Sequence, residues 1–425
     1  MPRAVVVLTG SELVRGDKAD ANGAFLAREL TRIGLAPSRM LVVGDDPDEL
    51  DRAVAEALSA DVAVFSGGLG PTHDDRTVET IARLAGRELV VDETLAEEID
   101  AVARGIAERI GRPYADFVPG VRKQASIPAG GTALGLAGTA PAVLLEHDGR
   151  VAVALPGPPS ELRRLWPRVL EAPALRVILD GVEVPEHRLL RFFGPSESAV
   201  ARVLEEVGGE GDGLEVTICA HDFEIRVDMF SGPGGDGRAE HLHRSLEEHF
   251  AADVFAADER TVAELVLDRC RQLGLTLATA ESCTGGMVAA RLTDVAGASD
   301  VFVGSVVAYS NDVKMQRLGV PPDVLERHGA VSEEAAAGMA VGAREALGAD
   351  VTLAVTGVAG PDGGSAEKPV GLVYIHADAP SDSTKHRVVL PGDREAVRAR
   401  ATALALHVLR RLLSPSVTDT RASSA

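Results

Sequence analysis

Apolar and polar positions along the first 170 residues keep two rhythms that alternate. "RAVVVLTG" is an unbroken apolar run closed by glycine, the mark of a strand covered on both faces. "NGAFLARELTRIG" instead spaces Phe25, Leu26, Leu30 and Ile33 onto one face of a helix. "SRMLVVGDD" predicts the next strand. It runs into Asp46-Pro47-Asp48-Glu49, an acidic cap with proline in the first turn and a glutamate three residues after the cap. "ADVAVFSGG" is a third buried strand, followed by a loop and a helix from about Asp75. This βαβα order predicts a mostly parallel sheet with helices on both faces. Ligands then belong at the carboxyl ends of the strands, where the glycine-rich loops fall.

From about residue 171 to 256 the rhythm shortens. "EHRLLRFFG", "LEVTICAHD" and "EIRVDMF" alternate as short strands do, and "SGPGGDGRAEH" is a turn ahead of a helix. A small α+β module is expected there, without a cluster of candidate catalytic groups, serving as a spacer or a dimerisation element. "ADERTVAELVLDRCRQLG" opens a second block whose strands are "LTLATA", "FVGSVVAYS", "DVTLAVTG", "VGLVYIHAD" and "HRVVLPG". The closing "SPSVTDTRASSA" is polar and aperiodic, so a disordered tail is expected. The fold class is therefore α/β: two α/β domains with mostly parallel sheets, at 1–170 and 257–415, joined by a small α+β module at 171–256 and followed by a tail at 416–425.

Composition narrows the partners. A chain of 425 residues exceeds one ordinary core, and 45% hydrophobic with 25% charged residues reads as globular. No apolar stretch approaches the roughly 18 residues of a membrane span. "AVVVLTG" lacks the basic flank and cleavage site of a signal peptide. Cys219, Cys270 and Cys283 are odd in number and show no metal-ligand spacing, which suits a reducing cytoplasm. Forty-three basic against 64 acidic residues leave a net charge of −21, a field that repels nucleic acid. Aromatics at 3% leave little for stacking bases. Small nucleotides need only a few donors and glycines, so they remain the expected ligands.

Two groups of loops carry candidate chemistry. In the carboxy-terminal block these are "ESCTGG", "YSNDVK", "TGVAGPDGGSAEKPVG" and "PGDREAVR". The first holds three potential nucleophiles, Ser282, Cys283 and Thr284, against a Gly-Gly pair. A hydroxyl needs a base beside it, and Lys314, Lys368 and Arg394 are the basic groups at hand. Lys314 follows the cap Ser310-Asn311, so it sits in a first helical turn, where the helix dipole disfavours its protonation. The loop from Gly357 to Gly371 is long for a connection in such a domain, which favours function. In the amino-terminal block, "FSGGLGPTHDDRTVETIA" sets a Gly-Gly turn after a strand and the pair Asp74-Asp75 before a helix. Those carboxylates either hold a hard cation or cap the helix.

The order "AESCTGG", "VVAYSNDVK", "GAVSEEAA", "TGVAGPDGG" and "EKPVG" resembles the carboxy-terminal domain of the CinA family (competence/damage-inducible protein A) over about 150 residues. The resemblance implies a nicotinamide mononucleotide deamidase in a cytoplasmic chain, with Ser282 as nucleophile and Lys314 as base. It places further pocket residues at Ser299, Tyr309, Thr356 and Arg394; should Lys314 not be the base, Tyr309 or an ordered water is the alternative. Backbone N–H groups near Cys283 and Thr284 are expected to face the oxyanion, with Arg394 or the glycine loop from Gly357 holding the 5′-phosphate. No cofactor is expected there. "TGSELVRGDKADANGAFLARELTRIG", "RKQASIPAG", "GTAPAV" and "LPGPPSEL" resemble the family's amino-terminal half, over about residues 4 to 165. This implies a molybdopterin-binding fold and a metal-dependent ADP-ribose pyrophosphatase. A divalent cation (Mg, Mn or Co) is then expected on Asp74 and Asp75, with Glu12 as a weaker ligand. Gly67, Gly68, Gly70 and Thr72 are expected to contact the diphosphate. The competing expectation is a catalytically silent nucleotide- or molybdopterin-like binding module. The expected assembly is a homodimer.

Overall fold

The computed structural model describes residues 1–232 and 234–414. The expected tail at 416–425, and Pro233 within the expected turn, lie outside them. The chain divides into two compact units, the first being Met1–Pro185 and the second beginning at Glu186.

The first unit is built on a six-stranded sheet. Its strands, with a separate two-stranded ribbon, are β1 (Arg3–Thr9), β2 (Ala36–Val43), β3 (Val62–Ser66), β4 (Leu89–Val91), β5 (Ser126–Pro128), β6 (Thr132–Leu136), β7 (Pro141–His147) and β8 (Arg150–Leu155). The sheet order is β2-β1-β3-β8-β7-β6, and β4 pairs with β5 alone. The pairs from β2 through β8 are parallel, whereas β7 and β6 add an antiparallel edge. Strand alternation sends Val5, Val7 and Phe65 into one core and Val6, Leu8 and Val64 into another on the opposite face. Both faces are covered, which explains the unbroken apolar runs. Leu26 and Leu30 are buried on the helix Asn22–Arg32, with Phe25 and Ile33 packed beside the same core. Asp46 accepts from the N–H groups of Asp48 and Glu49, as the cap pattern predicts. The sequence texture changes at 171, but the helix Pro173–Leu179 still buries Leu175 in the first unit's core.

In the second unit, β9 (Glu186–Phe193), β10 (Leu214–His221), β11 (Glu224–Ser231) and β12 (Val254–Ala256) form an antiparallel sheet in the order β10-β11-β9-β12. The helices Glu197–Glu206 and Asp236–His249 flank this sheet. A five-stranded sheet follows, from β13 (Leu277–Glu281), β14 (Phe302–Val307), β15 (Val351–Gly357), β16 (Leu372–Asp378) and β17 (Ser383–Val389), ordered β14-β13-β15-β16-β17. β14, β13 and β15 are parallel, while β16 and β17 return antiparallel. A short connection such as "ADAPSD" cannot make a parallel crossover, so that edge is a hairpin. Register sets Glu281 beside Val307 and Val355, so the residues that follow β13, β14 and β15 emerge along one edge.

Sequence reading expected no chemical cluster in the middle module. Ligand-type atoms of His187 and Asp228 do come within 4.8 Å of each other and of Glu259, which lies beyond that module's expected end, the one such grouping among the described residues. His187 and Asp228 meet through the antiparallel pairing of β9 with β11, and Glu259 follows β12. Arg226 already serves as their cation, with bonds of 2.6 and 2.7 Å to Asp228 and 2.6 and 2.8 Å to Glu259. The grouping is a filled ion-pair network.

Candidate active site

The turn after β13 is held from both sides. Glu281 is fully buried at the strand's end, and its carboxylate accepts from the N–H groups of Gly286 (2.9 Å), Val288 (3.1 Å) and Ala289 (2.9 Å). These are orphan donors at the start of the helix Met287–Thr293, where an anion is favoured. Gly285 and Gly286 have φ of 60° and 97°, which an L side chain rarely adopts. Arg398 closes the other side, donating to the carbonyls of Cys283 (3.1 Å) and Thr284 (3.0 Å).

Ser282 is 8% exposed and Lys314 1%. Ser310 caps the helix Asn311–Leu318, which carries Lys314 inward from its first turn. Lys314 Nζ lies 3.0 Å from Ser282 Oγ and donates over 2.7 Å to the carbonyl of Ala308. No carboxylate pairs with this amine among the described residues. Burial pushes its pKa below the ordinary 10.5, because charge without a counter-ion is poorly solvated there. A lysine so placed is poised to accept a proton. The neighbouring thiol of Cys283 is its opposite: it packs into the domain core, and burial pushes its pKa up to about 12. Cys283 is therefore a protonated packing residue. Neither its N–H nor that of Thr284 donates to a protein oxygen among the described residues, which leaves both available to a developing negative charge. The Thr284 hydroxyl is buried and also without a partner.

The other expected residues divide. Tyr309 is 61% exposed, and its hydroxyl accepts from Arg394 over 2.8 Å. Arg394 also donates to the Gly360 carbonyl at 2.7 Å, so strand end, glycine loop and the helix Arg394–Leu413 meet here. Thr356 is fully buried at the end of β15, and its hydroxyl donates to Ala330. Gly357 has a packing reason: a Cβ there would sit 2.6 Å from the Leu372 carbonyl and 3.1 Å from the Cys283 sulfur. Ser299 is not brought to this edge. It lies exposed in the turn Ala298–Asp300, ahead of Phe302, which pairs with Leu277 at the opening of β13. A whole strand length separates it from Ser282, because parallel strands place their beginnings together. Glu281 and Arg398 were missed by sequence reading. The signals were a glutamate ending an apolar strand and an arginine one helical turn after Arg394.

In the first unit a cleft of about 390 Å³ opens at the strand ends, lined by Gly67, Gly68, Gly70, Asp74, Asp75 and Glu12 among others. Gly67 and Gly68 take φ of 102° and 66°, and Thr77 pins the turn through the Gly67 carbonyl at 2.9 Å. Thr72 does not line this cleft. Its hydroxyl donates to both Asp74 and Asp75, and its N–H to Asp75 over 2.9 Å. The helix begins at Thr77 rather than near Asp75, with Arg76 at its cap and no side-chain capping bond. Helix capping is thus not what the aspartates do. The Thr72 hydrogen bond holds the Asp74 carboxyl below its ordinary range, so it stays ionised. Asp74 Oδ2 and Asp75 Oδ1 accept from no other residue among those described, which leaves hard oxygen donors of the kind a divalent cation takes. Asp45, Lys18 and Glu161 also line the cleft and were not anticipated. Burial raises the Glu161 carboxyl. Asn22, which sequence reading also passed over, donates to Ser66 and Gly157 while its carbonyl oxygen is buried without a partner.

Comparison with known proteins covers both units. Residues 259–413 match the CinA C-terminal domain, and residues 5–176 match a probable molybdopterin binding domain. A CinA-like protein of Mycolicibacterium paratuberculosis is 41% identical over 97% of this chain and 98% of its own length. Another CinA-like protein, from Mycobacterium tuberculosis, is 40% identical over 97% of each chain. The crystal structure of a competence/damage inducible protein from Agrobacterium tumefaciens shares 39% identity, covering 38% of this chain and 100% of that one, with a TM-score of 0.35. No helix among the described residues is long and apolar enough to cross a membrane.

Proposed function

The chain belongs to the CinA family, its relatives matching along nearly its whole length, and from that premise we propose that it is a pyridine-nucleotide hydrolase with two sites. In the second unit Ser282 attacks the carboxamide carbon of nicotinamide mononucleotide. Lys314 takes the hydroxyl proton as the C–O bond forms, and the N–H groups of Cys283 and Thr284 receive the oxyanion. When the C–N bond breaks, Lys314 returns the proton to the departing ammonia. Water then attacks the acyl-enzyme, with Lys314 again as base, releasing nicotinate mononucleotide and restoring the serine. Arg394 and the glycine loop hold the phosphate.

The observation that carries this reading is the buried Ser282–Lys314 contact of 3.0 Å. The test is direct. Purified protein incubated with nicotinamide mononucleotide is expected to release equal amounts of ammonia and nicotinate mononucleotide without added metal. Failure to form either product ends the deamidase assignment.

For the first unit we propose metal-dependent cleavage of ADP-ribose to AMP and ribose 5-phosphate. Support comes from the two Thr72-braced aspartates facing the 390 Å³ cleft. A divalent cation held by Asp74 and Asp75 would neutralise diphosphate oxygens and lower the pKa of an attacking water. Gly67, Gly68 and Gly70 keep the turn narrow enough for backbone N–H groups to approach the diphosphate. Incubation with ADP-ribose and Mn²⁺, with and without chelator, separates this reading from a silent binding module, which would bind without producing AMP. A homodimer in the cytoplasm completes the proposal, the assembly being checked by light scattering.

A further inference from the structure

A second cavity in the unit that begins at Glu186, of about 280 Å³, has no part in the chemistry above. Its ionisable lining is Arg260, Arg269, Arg410 and Asp268, with Phe255 and Leu265 as apolar walls. Three guanidinium groups and one carboxylate line it, in a chain whose net charge is −21. Two of the arginines are committed. Arg260 pairs with Asp258 at 2.8 Å and reaches Asp268 at 3.8 Å. Arg269 donates to the Leu413 carbonyl at 2.8 Å and to Gln272 at 3.3 Å.

Arg410 is different. It is half-buried, and among the described residues no carboxylate pairs with it. Its one hydrogen bond is a long 3.4 Å contact from Nε to His407 Nδ1. Its guanidinium stands 5.7 Å from the Phe255 ring centre, and its two terminal nitrogens donate to no group among the described residues. Glu224 offsets its charge only from a distance, and that carboxylate is itself bonded to His407 at 2.9 Å and to Arg191 at 2.9 Å. A half-buried guanidinium with free donors at the mouth of a cavity is a ready partner for an anion.

We propose that this cavity binds a compact oxyanion, a phosphate or carboxylate group on a small apolar body, with Arg410 as its principal ligand. The guanidinium fork matches two oxygens of such a head group, and Arg269 adds charge from the facing helix. Phe255 and Leu265 take the apolar body. The site is separate from the proposed deamidase pocket: Arg394 and Arg410 are about 24 Å apart along one helix at 1.5 Å per residue. An occupant would bridge β12 of the middle module to the end of that helix.

Full-length protein is titrated calorimetrically, in chelator, with phenyl phosphate and with benzoate, which share a ring and differ in the head group. Wild type and Arg394→Met are expected to bind at least one probe, and the tighter one identifies the head group. Arg410→Met is expected to weaken that binding by about tenfold or more. Leu265→Trp, which fills the cavity while leaving every charge in place, should weaken it similarly and decides the matter if Arg410→Met does not fold. Undiminished binding by Arg410→Met and Leu265→Trp, or no binding of either probe by wild type at millimolar concentration, overturns the proposal.

Discussion

Lys314 is 1% exposed, whereas the side chain of Asp74 is 51% exposed, although both serve strand ends in α/β domains. Both pKa values are lowered, with opposite consequences. Burial makes Lys314 readier to lose its proton, as the proposed base must be. A hydrogen bond from Thr72 stabilises the charge on Asp74 and keeps it ionised, as the proposed cation ligand must be. A site that reacts through its own groups has to exclude water. One that recruits a cation has to keep its carboxylates ionised and reachable. Folding supplies the first environment by packing, and the second by a short turn at the surface.

The largest test of that contrast is Ser282→Ala. Ammonia release is expected to fall by several orders of magnitude while ADP-ribose cleavage persists, since removing a nucleophile removes the pathway. Cys283→Ala should keep most deamidase activity, because a thiol with a pKa pushed up to about 12 is protonated at neutral pH. Reversal of these two outcomes in a product assay would reassign the nucleophile.

Next in size is Lys314→Arg. Arginine keeps the charge but cannot give up its proton near neutral pH, so turnover at saturating substrate should drop by about 10² to 10⁴, as for loss of a general base. Substantial turnover would leave Lys314 an electrostatic role and return Tyr309 to consideration.

Asp74→Asn and Asp75→Asn are expected to lower Mn²⁺-dependent AMP formation by roughly 10- to 100-fold, as loss of a carboxylate ligand or its support does, while sparing ammonia release. Calorimetric Mn²⁺ titration of the same variants reports the ligand role independently of catalysis. Unchanged titration and turnover at both positions would make the Thr72 turn a purely structural one.

The gentlest test is pH. Deamidation at low substrate should fall as pH drops through the Lys314 pKa, which lies below 10.5. Metal-dependent hydrolysis should outlast it on acidification, because Asp74 stays ionised to below 3.8. Coincident acid limbs in the two rate profiles would erase the distinction drawn here.

Much of this was visible in the residues before folding. Unbroken apolar runs located β1, β3 and β15, and the cap patterns placed the helices after Asp46 and Ser310. The Ser282 turn announced itself by the glycines that positive φ requires. Ser299, assigned through the resemblance, lies at the opposite strand end from Ser282, a separation that motif order along the chain does not reveal. The role of Arg398 was hidden for a related reason, since its partners lie 114 and 115 residues away. The grouping of His187, Asp228 and Glu259 was not legible either, because the three share no local pattern.

By itself, the sequence determined the alternation of elements, the parallel ladders that follow from it, and the family whose motifs it carries. Those properties depend on periodicity and on neighbours within a few residues. Tertiary structure alone decided that Lys314 is buried, that it reaches Ser282 across 32 residues, and that Arg226 fills the acidic group in the middle module. Desolvation and charge pairing are sums over everything packed around a group, and those surroundings come from every part of the chain.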